Sequence, residues 1–136
     1  MSDKLQKYLA KGKTGYKSET ITVKADGEEW SVRRLTTMEI RRAVELATNE
    51  DGTPRETFNE IDVMIVKATE HEFDWNNDEL LKVYGCEIKF ELPPRILDNP
   101  EEYAKLSRAV RDFTKTKEGL IKEAKNSSEP TEKQVG

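Results

Sequence analysis

Residues 19–35, ETITVKADGEEWSVRRL, decide the fold class. Two runs rich in Ile, Val, Thr and Trp flank Asp26-Gly27, a pair suited to a tight turn with positive backbone angles, so the segment predicts an antiparallel β-hairpin. With those two residues as the loop, Val23 faces Trp30 and Ile21 faces Val32 on one side. Lys24 then faces Glu29, and Thr22 faces Ser31, on the other. One face is apolar and the other polar. A two-stranded ribbon is marginal alone, so the face carrying Ile21, Val23, Trp30 and Val32 requires a cover.

Outward from the hairpin, the sequence offers helices as that cover. TTMEIRRAVELATN predicts a helix over about 37–48, with Thr36 as cap, Glu39 three residues on, and Ile40, Ala43, Val44 and Ala47 at helical spacing. NEDGTPRE, residues 49–56, reads as a loop. The next helix, about 57–71, opens at Thr57 with Glu60 three residues later; Phe58, Ile61, Met64, Ile65 and Ala68, widened by Val63 and Val66, make it the central helix. A short helix over 77–84 follows, capped by Asn76 or Asn77 and stopped by Gly85 in a left-handed conformation, with Leu80, Leu81 and Tyr84 turned inward. In CEIKFELPPRI, residues 86–96, Ile88, Phe90 and Leu92 alternate like a strand, but Pro93 and Pro94 end any ladder, so an extended connector is expected.

LDNPEEYAKL, residues 97–106, has a structural reading that needs no chemistry. Asn99 caps, Pro100 takes the first helical position, Glu101 and Glu102 favour the positive end, and Glu102 is placed to complete a capping box. The helix, about 100–113, presents Tyr103, Leu106, Val110 and Phe113 on one face. A last amphipathic segment, about 117–125, carries Leu120, Ile121 and Ala124 and is weakened by Gly119. The expected architecture is α+β, mainly α: a hairpin on a bundle of about four to five helices in one domain, 18–126. A flexible basic arm, 1–17, precedes it and a disordered tail, 127–136, follows.

Composition agrees with one small core. The chain has 136 residues, 37% charged and 35% hydrophobic, with a mean hydropathy of -0.84. A net charge of -4 gives no global attraction to nucleic acid or to an anionic membrane. Locally, residues 1–17 carry five lysines against Asp3, while 70–79 carry Glu70, Glu72, Asp74, Asp78 and Glu79 with no basic side chain. A single cysteine, Cys86, excludes an intramolecular disulfide and suits a reducing compartment, so the cytoplasm is expected. The longest aliphatic run, VMIV at 63–66, is too short to cross a bilayer.

Sites for chemistry are sparse. There is no glycine-rich phosphate loop, Cys pair, HExxH or nucleophile elbow. His71, in TEHEFD, reads as a solvent-facing helix end; the alternative, a metal site with Glu70, Glu72 and Asp74, suffers because helical neighbours point in different directions. Cys86 lacks a His partner or a basic surround, which favours a packing role over a nucleophile. The arginine pairs at 33–34 and 41–42 are interrupted by acids, and Arg34 can pair across the hairpin with Glu19. No enzyme activity, cofactor or metal is expected.

The order of segments resembles a known family. A Trp-containing hairpin ending in RRLTTMEI, then WNNDELLKVYG, LDNPEEYAKLSRAVRDF and LIKEAKN, spanning about residues 5–126, resembles the XkdN-like tail assembly chaperones of PBSX-type phages and prophages. That family has a longer hairpin turn and a leucine-rich helical stretch where this chain has IKFELPPRI. The resemblance implies a non-enzymatic, non-structural role in virion assembly in the bacterial cytoplasm. Such chaperones coat the apolar helices of the tape measure protein until tail tube protein polymerises around it. The partners then expected are the tape measure protein, the tail tube protein and further copies of the chain, with neither membrane nor nucleic acid. Tyr103, Leu106, Val110, Phe113, Leu120 and Ile121 are the candidate partner-binding residues; for the stripe from Tyr103 to Phe113, filling the chain's own core is the alternative. The family also implies a frameshifted longer form, and AKN at 124–126 can be encoded by a run holding a slippery heptamer. The rival readings are a structural tail subunit and a small nucleic-acid-binding regulator.

Overall fold

The computed structural model describes residues 2–15 and 18–114. It has the expected α+β, mainly α architecture. Strands β1 (Thr20–Ala25) and β2 (Glu28–Arg33) form the antiparallel hairpin, preceded by α1 (Asp3–Thr14) and followed by α2 (Thr37–Leu46), α3 (Glu60–Thr69), α4 (Asp78–Val83), α5 (Pro93–Ile96) and α6 (Pro100–Asp112). The register is the one the turn dictates: Val23 pairs with Trp30, Ile21 with Val32, Lys24 with Glu29 and Thr22 with Ser31. Asp26 and Gly27 both have positive φ, 57° and 74°, as a two-residue hairpin loop requires.

The hairpin is covered by α3 and α6. α3 is central, touching α2, α5, α6 and β2, and Val63, Ile65, Val66 and Ala68 on it are fully buried. Its cap is Asn59 rather than Thr57: Asn59 Oδ1 accepts from Asp62 N at 3.1 Å and Asp62 Oδ2 accepts from Asn59 N at 3.0 Å. Phe58, expected on the helix, precedes it and is buried in contact with Phe90, ring centroids 5.5 Å apart. α2 opens on the expected capping box, Glu39 N donating to Thr36 Oγ1 and Thr36 N to Glu39 Oε1. α4 is capped by Asn77 and followed by Gly85 at φ 66°.

Two further expectations are corrected by the segments 86–96 and 1–17. The segment 86–96 is neither a strand nor an extended connector: a 3-10 turn, Lys89–Glu91, runs into α5, whose first residues are Pro93 and Pro94. Proline is comfortable there, since the amide it lacks has no helical partner at a helix start, and the turn buries Phe90 and Leu92. The basic arm contains a helix: Ser2 Oγ accepts from Leu5 N, Asp3 lies in the first turn, and Lys11 and Lys13 in the last, which suits the helix dipole. The expected helix 117–125 and tail 127–136 lie outside the described residues.

Candidate partner-binding surface

The core accounts for most of the residues proposed for a partner. Leu106, Val110 and Phe113 are buried because α6 lays this face on α3 and β1. In this conformation no partner can reach them, so the stripe is part of the chain's own core. Tyr103 is half-buried, and its hydroxyl donates to Asp62 Oδ1 at 2.5 Å. Asp62 is itself buried, with both oxygens occupied, by Tyr103 and by the Asn59 amide. Burial pushes its carboxyl above the ordinary aspartate range, and the two hydrogen bonds oppose that shift. Burial and the neighbouring Asp62 push the Tyr103 phenol up. The pair locks α6 onto α3. Leu120 and Ile121 lie outside the described residues.

The aromatic centre of the fold is satisfied internally. Trp75 stacks on Trp30 with centroids 5.9 Å apart and meets Phe73 edge-on at 4.8 Å. Its Nε1 donates to Thr69 Oγ1 at 2.9 Å, and that hydroxyl donates on to Ile65 O at 2.7 Å. Trp30 Nε1 donates to Ala25 O at 3.2 Å.

Both arginines of the first pair are engaged in the structure, and in the second Arg42 pairs with Glu45 at 3.1 Å. Arg33 grips Glu39 with both nitrogens, at 3.0 and 2.8 Å, and also donates to Lys67 O. That hydrogen-bonded guanidinium holds the Glu39 carboxyl below its usual value. Arg34 makes the expected ion pair with Glu19, at 2.9 Å. It also donates to Phe113 O and lies over the Phe113 ring. His71 is exposed just past α3, its Nε2 2.9 Å from Ser31 Oγ. Among the described residues no three of His, Cys, Asp and Glu gather in a group that could hold a metal ion. Cys86 is half-buried, and burial pushes its thiol up, away from a reactive thiolate.

Three surface features remain. The first is the end of α4, where Val83 is 74% and Tyr84 37% exposed, with Ile88 exposed beyond the turn. Tyr84 was expected to pack inward; it stands at the C-cap of α4, before Gly85, and is only partly covered. The second is α1. Every residue from Ser2 to Gly15 is exposed, and Leu5, Tyr8 and Leu9 form an apolar stripe at i, i+3 and i+4. The third is a cleft of about 390 Å³ beside the hairpin turn, with Trp30, Phe73 and Ile96 in its wall and Asp26, Glu28, Glu29 and Glu72 around it. Glu102 braces the turn next to this cleft: it accepts from Asp26 N at 2.7 Å rather than from its own helix cap. The cleft and the brace escape sequence reading because their residues are separated by up to 76 positions.

Among the described residues no helix is long and apolar enough to cross a membrane. No protein-family model matches the chain, and no curated protein does. Among solved structures, the crystal structure of the protein YqbN is similar at 18% sequence identity and a TM-score of 0.54, over 74% of this chain and 87% of that one. A likeness at this identity speaks to the fold alone.

Proposed function

We propose that the protein is a tail assembly chaperone that binds the tape measure protein of a phage or prophage, keeps its apolar helices from aggregating, and yields it to tail tube protein. One observation carries this reading. NDELLKVYG, one of the three most specific segments of the resemblance with LDNPEEY and EAKN, carries Val83 and Tyr84 just before its closing Gly85, and the fold leaves Val83 largely and Tyr84 partly exposed. Core packing gives no reason for them, whereas a surface that masks another polypeptide needs such groups. The proposed contact surface is therefore the end of α4, with Val83, Tyr84 and Ile88, together with Leu120 and Ile121. Small apolar patches on many soluble, acidic copies give weak individual contacts that add along a long partner and still release it to a competitor.

The test is co-expression with the tape measure protein encoded in the same gene cluster. The intact chain should move that protein from the pellet to the soluble fraction. A chain carrying V83S and I88S should keep its fold and lose most of this effect. An equally insoluble tape measure protein with and without the intact chain overturns the proposal.

A further inference from the structure

Two unfilled surfaces on this chain complement each other. α1 is twelve residues long with no buried residue, yet isolated helices shorter than about 12–15 residues are marginal in water. It therefore gains little from its own body and stands to gain from a surface that covers Leu5, Tyr8 and Leu9. Around that stripe the helix is basic: residues 2–15 hold Lys4, Lys7, Lys11 and Lys13 against Asp3. Lys7 and Lys11 place their ammonium groups 5.5 and 5.9 Å from the Tyr8 ring centroid. The cleft beside the hairpin turn has the opposite character, an apolar wall of Trp30, Phe73 and Ile96 and four carboxylates, Asp26, Glu28, Glu29 and Glu72.

We infer that α1 of one copy docks in the acidic cleft of a second copy, with Tyr8 and the two leucines on the apolar wall and the lysines against the carboxylates. At about 390 Å³ the cleft lies within the roughly 300–1,000 Å³ of sites that take a small molecule or a few side chains. It suits the projecting face of one helix turn and not the helix body. The C-terminal segment is a poorer match in charge, since residues 115–136 hold five lysines against four glutamates. The contact joins unlike surfaces, so it gives a reciprocal pair or an open chain of copies. An open chain is a means of lining a long partner, although the association is read on this protein alone and stands or falls apart from the tape measure proposal.

The test is sedimentation velocity of the full chain across concentration at low salt, with two charge-reversed variants. One carries K4E, K7E and K11E; the other carries E28K, E29K and E72K. All six positions are exposed, and circular dichroism confirms that each variant is folded. The wild type should associate with rising concentration, and more weakly, by roughly tenfold, when salt shortens the screening length from about 10 Å to about 3 Å. Each variant alone should stay monomeric. An equimolar mixture should associate again, because reversed helix then meets reversed cleft and native helix meets native cleft. A wild type that is monomeric at every concentration overturns the inference, whether its own α1 or residues 115–136 fill the cleft. Variants that associate like the wild type, or a mixture that stays monomeric, overturn it as well.

Discussion

Replacing Tyr103 with phenylalanine removes one oxygen atom and leaves the ring, so it isolates the bond that locks α6 to α3. The acceptor is the buried Asp62 carboxylate, 2.5 Å from the hydroxyl, and a hydrogen bond to a charged group is worth about 1.5–3 kcal/mol. We take about 2 kcal/mol at pH 7, or about 6–8 °C in Tm for a domain of this size. The pH dependence follows from Asp62. Its carboxyl titrates above the ordinary range when folded, so the folded state holds a proton over a window where the unfolded chain has lost it. Its contribution to stability is fully present below the unfolded value of about 3.9 and declines as pH rises through the raised folded value. Without the Tyr103 hydroxyl the carboxylate is less well solvated, its folded value moves further up, and the decline continues to higher pH. The deficit of Y103F should thus be largest near neutral pH and shrink towards about 1 kcal/mol or less on acidification, where a neutral bond replaces a charged one. Urea unfolding of both proteins between pH 4 and pH 8 measures it. A deficit below about 0.5 kcal/mol at pH 7, outside the range for a charged bond, or one that grows as pH falls, refutes the reasoning. In a D62N background the pH dependence of the deficit should vanish.

Other outcomes follow from the same contacts. Leu106→Ala should cost about 2–5 kcal/mol, the range for emptying a well-packed core position, whereas Leu5→Ser and Leu9→Ser, measured at a dilution where the wild type is monomeric, should leave Tm within about 2 °C of the wild type, since exposed changes are worth about 0.5 kcal/mol or less; comparable losses at both sites would contradict the division into core and surface. Thr69→Val leaves Trp75 Nε1 without its acceptor, and chemical denaturation should show a loss of about 1–3 kcal/mol. Cys86 should be alkylated by iodoacetamide at pH 8 more slowly than a free thiol such as glutathione, because burial raises its pKa. Glu39→Gln should flatten the fall in stability on acidification: its folded pKa is depressed by Arg33, so its contribution is present above the unfolded value of about 4.3 and is lost as pH falls through the folded one.

What was legible in the sequence was local. The register of β1 and β2 follows from Asp26-Gly27 and from the alternation around it; the caps Thr36, Asn77 and Asn99 each act within a few residues of the helix they start. The misreadings have a common cause in contacts between distant segments. TxxE at Thr57 predicts a box, but the box that forms is Asn59 with Asp62, and Phe58, expected on the helix, lies before it against Phe90. Glu102 reads as an ordinary first-turn acid and Asp62 carries no signal of its own, yet Asp62 receives a hydroxyl 41 positions away and Glu102 an amide 76 positions away. α1 had its signals in plain view, with Ser2 as cap and lysines in the last turn, but so dense a charge run resembles a solvated arm when nothing nearby reveals a use for its apolar side.

The central claim concerns masking of a long apolar partner, and light scattering tests it most directly. Tape measure protein diluted from denaturant should scatter strongly alone. Scattering should fall in proportion to the added protein, reach its floor at many copies per tape measure chain, and be indifferent to an equal amount of the V83S/I88S variant. Scattering that is unchanged by the intact protein at any ratio contradicts the account.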